Sequence, residues 1–576
     1  MITGKKIGPV CVVVTLLALV FTILFMNGAK FGITAVIDDD TEGASYFSSN
    51  DLNGSWEASA YTHITLNGDS ADVSGNGAYY YDGDVLITSA GYYLISGKLD
   101  NGSVIVDSNG SSKVWIKLDG VDIYADDDAA IRVDQAKKVF LTLADSSSNY
   151  LSSGSSLSDA AVADGTDGVI FAHDNLCING NGTLQVNAGY MHGIVAKDNL
   201  ILAGGNILIN ASKDGIRANE SLRIANASVS VTSGDDALTI NHDDGYLYVA
   251  SGEVKLKAED DGVNSLGNVT VDGGTVTVSA GDDGIHSDKA VVINNGTVLM
   301  EKCYEGIEAV TVTMNDGDVT IYPSDDGINA NGGTGDSFGG FGGRPGENAG
   351  FSERADGESG FPGRPDSEDG FPERPDGENV FPQRPDDSGN NGVLDTETAN
   401  SDLSAEETYV RINGGRLNII NTTAQDADGI DSNGSIYISG GDVRISLPGN
   451  GTNSAVDYAS ESGGVCEISG GTVIACGSYM MAEGFDSSSP QCSILYNYSQ
   501  GVDAGSVVSL EDASGSILLE YEAPVGFSSV GISCPGLQTG NTYRIRIGDI
   551  SEEFTLNETA QTIGDVSGGF APGFRP

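Results

Sequence analysis

The chain has 576 residues, 82 of them acidic against 28 basic, for a formal net charge of −54. That balance excludes nucleic acid as a partner, because binding phosphate needs clustered Lys and Arg. It also predicts a surface that repels acidic ligands unless bound divalent cations reverse the field locally.

Residues 1–29 open with Lys5-Lys6 and an apolar run over 7–26, broken only by Gly8, Pro9, Thr15 and Thr22. About 20 apolar residues can span a bilayer, whereas a signal peptide has a shorter run and a small-residue cleavage site. Asn27-Gly28-Ala29 is a poor site of that kind. The segment reads as a signal anchor, with a cleaved signal peptide as the alternative. The Lys pair keeps the N-terminus inside and the remainder outside, so a cell-surface, membrane-anchored or extracellular chain is expected. The six later cysteines, Cys177, Cys303, Cys466, Cys476, Cys492 and Cys534, show no CxxC spacing. Disulfides are permitted in that compartment, but their pairing is not deducible.

Residues 30–120 carry Val85-Leu86-Ile87-Thr88, Val104-Ile105-Val106 and Val114-Trp115-Ile116-Lys117-Leu118. These are expected to form an N-terminal cap and the first strands. From 121 to 330 a repeat dominates. Its core copies are Asp214-Gly215-Ile216, Asp236-Ala237-Leu238, Asp261-Gly262-Val263, Asp283-Gly284-Ile285, Glu305-Gly306-Ile307 and Asp326-Gly327-Ile328. Self-similarity at about this period means stacked structural units. Between copies, short segments such as Val269-Thr270-Val271 and Val276-Thr277-Val278 alternate apolar and polar residues around Asp272-Gly273-Gly274, the pattern of half-buried strands and turns. Three short strands per period predict an all-β fold, a right-handed parallel β-helix of about 22 residues per coil, its hand taken from the crossover preference.

Residues 331–408 interrupt the repeat with a ten-residue motif, as in Phe361-Pro362-Gly363-Arg364-Pro365-Asp366 and Phe371-Pro372-Glu373-Arg374-Pro375-Asp376. Pro, Gly and charge at this density predict a disordered projection. The repeat grammar resumes at Val410-Arg411-Ile412-Asn413-Gly414-Gly415, so 409–489 is read as the continued β-helix. Longer strands such as Tyr543-Arg544-Ile545-Arg546-Ile547 mark 490–560 as a small antiparallel cap, and 561–576 as a disordered tail.

The turn before the repeat Gly often carries two acids: Asp235-Asp236, Asp260-Asp261, Asp282-Asp283 and Asp325-Asp326, with Asp426 and Asp428 as a variant. Equivalent residues of stacked strands lie about 4.8 Å apart, where two like charges repel by about 3 kcal/mol at an effective dielectric near 20. The hard-cation answer is Ca²⁺, which takes six to eight oxygen ligands. These ten residues are therefore the candidate metal ligands, against the alternative that they are solvated turn formers. Two positions past each Gly runs a second column of Arg217, Thr239, Asn264, His286, Glu308, Asn329 and Asp431. It alternates with inward Ile and Val, so it is expected to face solvent and to contact a glycan. Arg217, Asn264, His286, Glu308, Asn329 and Asp431 are the candidate ligand-binding residues.

These acidic repeats resemble a clostridial carbohydrate-binding family with a polysaccharide-lyase-like parallel β-helix. So do Asp119-Gly120-Val121, Val139-Phe140-Leu141-Thr142-Leu143-Ala144-Asp145 and Ser528-Ser529-Val530-Gly531-Ile532. The resemblance covers roughly 45–330 and 409–555; the Pro-rich insertion departs from it. It implies a Ca²⁺-stabilised β-helix that binds cellulose and acidic sugars such as pectic fragments at the cell surface, with the paired Asp positions matching the family's acidic turns. Neutral glucans are usually bound on flat aromatic platforms, and this chain has only Trp56 and Trp115 beside strand tyrosines such as Tyr79, Tyr80, Tyr81, Tyr92 and Tyr93. An acidic glycan bridged by Ca²⁺ is thus favoured over crystalline cellulose, and a monomer is expected. A pectate-lyase-like enzyme is one alternative; it needs a Lys or Arg base beside the metal, for which Arg217, Lys213, Lys197 and Lys289 are the near-ladder candidates. A structural adhesin is the other.

Overall fold

The computed structural model describes residues 46–331, 408–423 and 426–565. The expected signal anchor (1–29), nearly all of the insertion (332–407) and the tail beyond 565 lie outside the described residues. Among the described residues, no helix is long and apolar enough to cross a membrane.

The described chain is nearly all β and is dominated by parallel pairing. One period shows how. Val263–Ser265, Asn268–Val271 and Thr275–Ser279 follow one another with burial alternating along each strand. Each pairs in parallel with the third strand before it and the third strand after it or its continuation. Register partners Val254, Val276 and Val298 are separated by 22 residues at each step; Leu238 and Val263 are separated by 25. Side chains on one face of every strand turn inward, and a single apolar core runs from Ile64 to Phe485. The repeat Gly is demanded by the closeness of the coils, not by a special dihedral. A Cβ on Gly262 would lie 2.3 Å from Val278 Cγ1 and 2.5 Å from the carbonyl oxygen of Gly284.

Parallel pairing is present within 30–120, the segment expected to hold the cap and first strands. Thr62–Gly68 already pairs in parallel with Gly91–Leu99, which pairs with Lys113–Ala125. The antiparallel hairpins Thr62–Gly68/Ala71–Ser74 and Ala78–Tyr81/Asp84–Ile87 sit at that end, where they cover strand backbone that would otherwise be open. Thr311–Met314 is followed in its stack by Tyr409–Ile412, and Ile307–Ala309 by Ile328–Ala330, so residues 331–408 join two neighbouring strands of the same layer sequence. At the far end Thr472–Gly477 pairs antiparallel with Phe527–Ser533. A four-stranded antiparallel sheet of Val507–Asp512, Ile517–Glu522, Thr542–Ile547 and Ile550–Thr555 has its own core there. The unit runs past residue 560: Ala560–Gly564 is a strand parallel to Ser493–Asn497, because its backbone groups complete that edge. All six described cysteines are free.

Candidate functional site

The two acids of each turn have different fates. The inner one, next to the Gly, is turned into the wall: Asp214, Asp236, Asp261 and Asp283 are all at least nine-tenths buried. In Asp236, Asp261 and Asp326 the inner carboxylate accepts the backbone N–H of the equivalent acid one coil on. Asp261 donates to Asp236 Oδ1 (3.1 Å), Asp283 to Asp261 Oδ1 (2.9 Å) and Asp428 to Asp326 Oδ1 (2.6 Å). At the start of the row His192 takes the acid's place, with Nδ1 accepting from Asp214 N–H at 3.1 Å. The inner acids thus satisfy backbone donors that burial would otherwise orphan. That local reason for an acid at this position is independent of any ligand.

Burying the row without enough positive charge raises its proton affinity. Burial, then the charge of Asp261, pushes Asp236 up to about 7. Burial and Asp283 do the same to Asp261, also to about 7. Asp326 reaches about 7 through burial and neighbouring acids, and Glu305 and Asp428 about 9 by the same causes. Asp214 is the exception. Burial raises it, but the surrounding His192, Arg217 and Thr239 side chains outweigh that and hold it below the usual range.

The outer acids Asp235 and Asp260 are exposed and Asp282 is half-buried. The structure brings them against the inner row as two sets, Asp235–Asp236–Asp260 and Asp260–Asp261–Asp282, each with three carboxylate oxygens within 4.8 Å of one another. Such all-oxygen sets, spanning adjacent coils and repelling one another, suit Ca²⁺ in ligand type and spacing. Asp325, Asp326, Asp426 and Asp428 form no comparable set among the described residues; Asp426 instead accepts from Thr452 Oγ1 at 2.5 Å.

The second column is in register as expected: Arg217, Thr239, Asn264, His286, Glu308, Asn329 and Asp431 are successive parallel partners. Asp457 extends it. It does not simply face solvent, however. Thr239 is buried and the others half-buried, because they lean on the inner acids. Arg217 Nε lies 2.9 Å from Asp214 Oδ2, Thr239 Oγ1 donates to the same oxygen at 3.0 Å, and Asn329 Nδ2 donates to Glu305 Oε2 at 3.0 Å. Asp431 is pushed up to about 6 by burial and by Asp457. Asp214, Glu305 and Asp457 were missed as site residues. Each stands at a repeat or column position, so register was the available signal.

The two tryptophans are not a free platform. Trp56 is buried, and its Nε1 donates to Thr142 Oγ1 at 2.7 Å. Tyr92, Trp115 and Phe140 stack in sequence at 5.1 Å spacings. Next to this row, Phe47 from the N-terminal segment packs against Phe140, Cys177 and Tyr248. Of the basic residues near the ladder, Arg217 pairs with Asp214, Lys197 with Asp167 (3.0 Å) and Lys289 with Asp244 (3.4 Å), while Lys213 is exposed near Asp235.

Residues 81–335, which include the ladder from Asp214 to Asn329 but not its continuation at Asp428, Asp431 and Asp457, match a family profile described as carbohydrate-binding domain-containing protein. A curated protein of that description from Acetivibrio thermocellus is 28% identical over 211 residues, 36% of this chain and 72% of its own. A solved structure described as a polysaccharide lyase-like protein from C. thermocellum, gadolinium derivative, is 27% identical. That likeness covers 45% of this chain and 94% of the other with a TM-score of 0.34, and at that score the superposition says nothing about architecture. The resemblance to a carbohydrate-binding family is therefore found in sequence over residues 81–335, the part of the chain that carries both all-carboxylate sets.

Proposed function

We propose that this chain is a carbohydrate-binding protein whose acidic row holds Ca²⁺ and, through it, an acidic, pectin-like polysaccharide. The observation that carries the reading is the pair of all-carboxylate sets, Asp235–Asp236–Asp260 and Asp260–Asp261–Asp282, inside the segment similar to carbohydrate-binding proteins. Bound Ca²⁺ would supply positive charge to the wall and free coordination positions toward solvent. The protein's own residues do the rest. Asp236 and Asp261 anchor the sets to the coil backbone, and the half-buried column of Asn264, His286, Glu308, Asn329 and Asp431 offers polar groups alongside for sugar hydroxyls. In this reading the parallel stack is a right-handed β-helix with coils of about 22 residues, presented outside the cell on an N-terminal anchor. Three of the four candidate bases, Arg217, Lys197 and Lys289, are paired with carboxylates, which favours binding over elimination chemistry, and the exposed Lys213 beside Asp235 is the base an elimination would have to use.

The test is retention of the purified full-length chain on insoluble polygalacturonate and on cellulose, in Ca²⁺ and in chelator, while ultraviolet absorbance follows unsaturated product. Ca²⁺-dependent retention on polygalacturonate without product is expected. Ca²⁺-dependent product would make the protein a lyase. Absence of retention in Ca²⁺ would leave a structural adhesin.

A further inference from the structure

One coil beyond the all-oxygen sets the donor chemistry changes. Asp283 and His286 lie on one coil, and Glu308 is the register partner of His286 on the next. His286 Nδ1 is 2.7 Å from Glu308 Oε2 and 3.3 Å from Asp283 Oδ2, and the three ligand atoms lie within 4.8 Å of one another. The supporting contacts are also in place. His286 Nε2 sits 3.1 Å from Asp288 Oδ1, and Asn331 Nδ2 donates to the other oxygen of Glu308. An imidazole that gives its Nε2–H to a carboxylate turns its Nδ1 lone pair the other way, which is the arrangement that orients metal-ligating histidines. Here carboxylate oxygens face both ring nitrogens, so without metal Nδ1 carries a proton between Asp283 and Glu308, and a metal ion bound there would take that proton's place.

One nitrogen and two carboxylate oxygens are a poor set for Ca²⁺, which takes oxygen, and a good one for Zn²⁺, which accepts His and Asp or Glu and completes its shell with water. The Asp283 side chain is 2% exposed while His286 and Glu308 are 24% and 17% exposed, so the set is anchored on the inside and open on one side. We infer that Asp283, His286 and Glu308 form a Zn²⁺ site, with a water in the open position, that clamps two adjacent coils. The row then sorts metals along its length, Ca²⁺ at the all-carboxylate turns and Zn²⁺ at the turn with the histidine. The site does not depend on the glycan reading.

The probe is Co²⁺, whose visible absorption reports binding and whose displacement reports competition. Titration of the full-length chain is expected to give one Co²⁺ with a visible band, removed by one equivalent of Zn²⁺ and kept in millimolar Ca²⁺. His286→Asn should abolish the band. Asp288→Ala changes a half-exposed residue outside the ligand set, and should keep the fold while weakening Co²⁺ by roughly tenfold to a hundredfold. Asp235→Asn should leave the band intact. No band in the wild type, displacement by Ca²⁺, or an unchanged band in His286→Asn would each overturn the assignment. An unchanged affinity in Asp288→Ala would overturn the role of Asp288 in aiming the ring.

Discussion

Asp214 and Asp236 occupy equivalent places in successive coils, and both are buried, with 1% and 7% exposure. Their electrostatics are opposite. The Arg217 guanidinium faces Asp214 and, with the His192 and Thr239 side chains beside it, holds it ionised. Asp236 has no such cation, and its register neighbours bring more acid, so its proton affinity rises to about 7. Burial is shared and so does not explain the difference, and the backbone role is not shared, since Asp236 Oδ1 accepts the Asp261 N–H while Asp214 Oδ1 is buried without a hydrogen-bond partner; what separates the two electrostatically is the side chain in the neighbouring column. Where that column supplies a positive group the coil is complete in itself. Where it supplies Thr239 or Asn264 the coil needs a cation from solution.

The largest effect should come from making the first kind of coil into the second. Arg217→Met leaves the Asp214 carboxylate buried with only His192 and the Thr239 hydroxyl beside it, and breaking a buried pair this way costs about 3 kcal/mol. A fall in melting temperature is expected in chelator, and adding Asp214→Asn should restore most of it. A variant that melts with the wild type would show that Arg217 is not what distinguishes the two coils. Next in size is Ca²⁺ itself. At a free concentration about a hundredfold above Kd, each site stabilises the folded chain by about 2.7 kcal/mol. Chelation should therefore lower the melting temperature of the wild type, and should do so less in a variant carrying Asp235→Asn with Asp260→Asn. Equal chelator sensitivity in the two proteins would remove these turns as the metal sites.

A smaller and more discriminating change is Asp236→Asn against Asp236→Ala. The amide oxygen of Asn keeps an acceptor for the Asp261 N–H and discards the charge, so it should melt no lower than the wild type in chelator while its Ca²⁺ response falls. Ala discards both, and an orphaned buried donor costs about 1–3 kcal/mol. Scanning calorimetry of the two variants separates the backbone role of the inner acid from its metal role.

The repeat was legible because inward Ile and Val recur with it, and the same recurrence located the second column. Which acid of Asp235-Asp236 turns inward was not legible, since the two are neighbours in one turn and only the coil geometry makes the second accept from the next coil. The column was expected to face solvent because strand alternation places it away from the apolar core. Alternation does not report that Asp214 and Glu305 rise beside it from the adjoining turn and half-bury it. Where Trp56 and Trp115 sit was not legible, because a sequence does not show that the segment around Phe47 and Trp56 packs over the outer face near Phe140. Contacts between positions so far apart leave no local pattern.

The finest test of the contrast between coils is the pH dependence of stability without metal. Asp236, Asp261 and Asp326 titrate near 7 in the folded chain and Glu305 and Asp428 near 9, against about 4 for free carboxylates. Between those values the folded chain binds more protons than the unfolded one, so stability must fall as pH rises. The contribution is whole below about pH 4 and is lost on passing through about 7 and then about 9. Asp214 works the other way: its lowered affinity contributes stability that is present above about pH 4 and lost in acid, so it adds nothing to the slope near neutrality. In chelator the melting temperature should therefore decline from pH 5 to pH 9. With saturating Ca²⁺ the decline should flatten, because metal binding favours the ionised carboxylates, and Asp236→Asn should reduce the chelator slope alone. A metal-free melting temperature that rises over this range would mean that the inner acids are neutralised within the fold, and the distinction between coils with and without their own cation would fail.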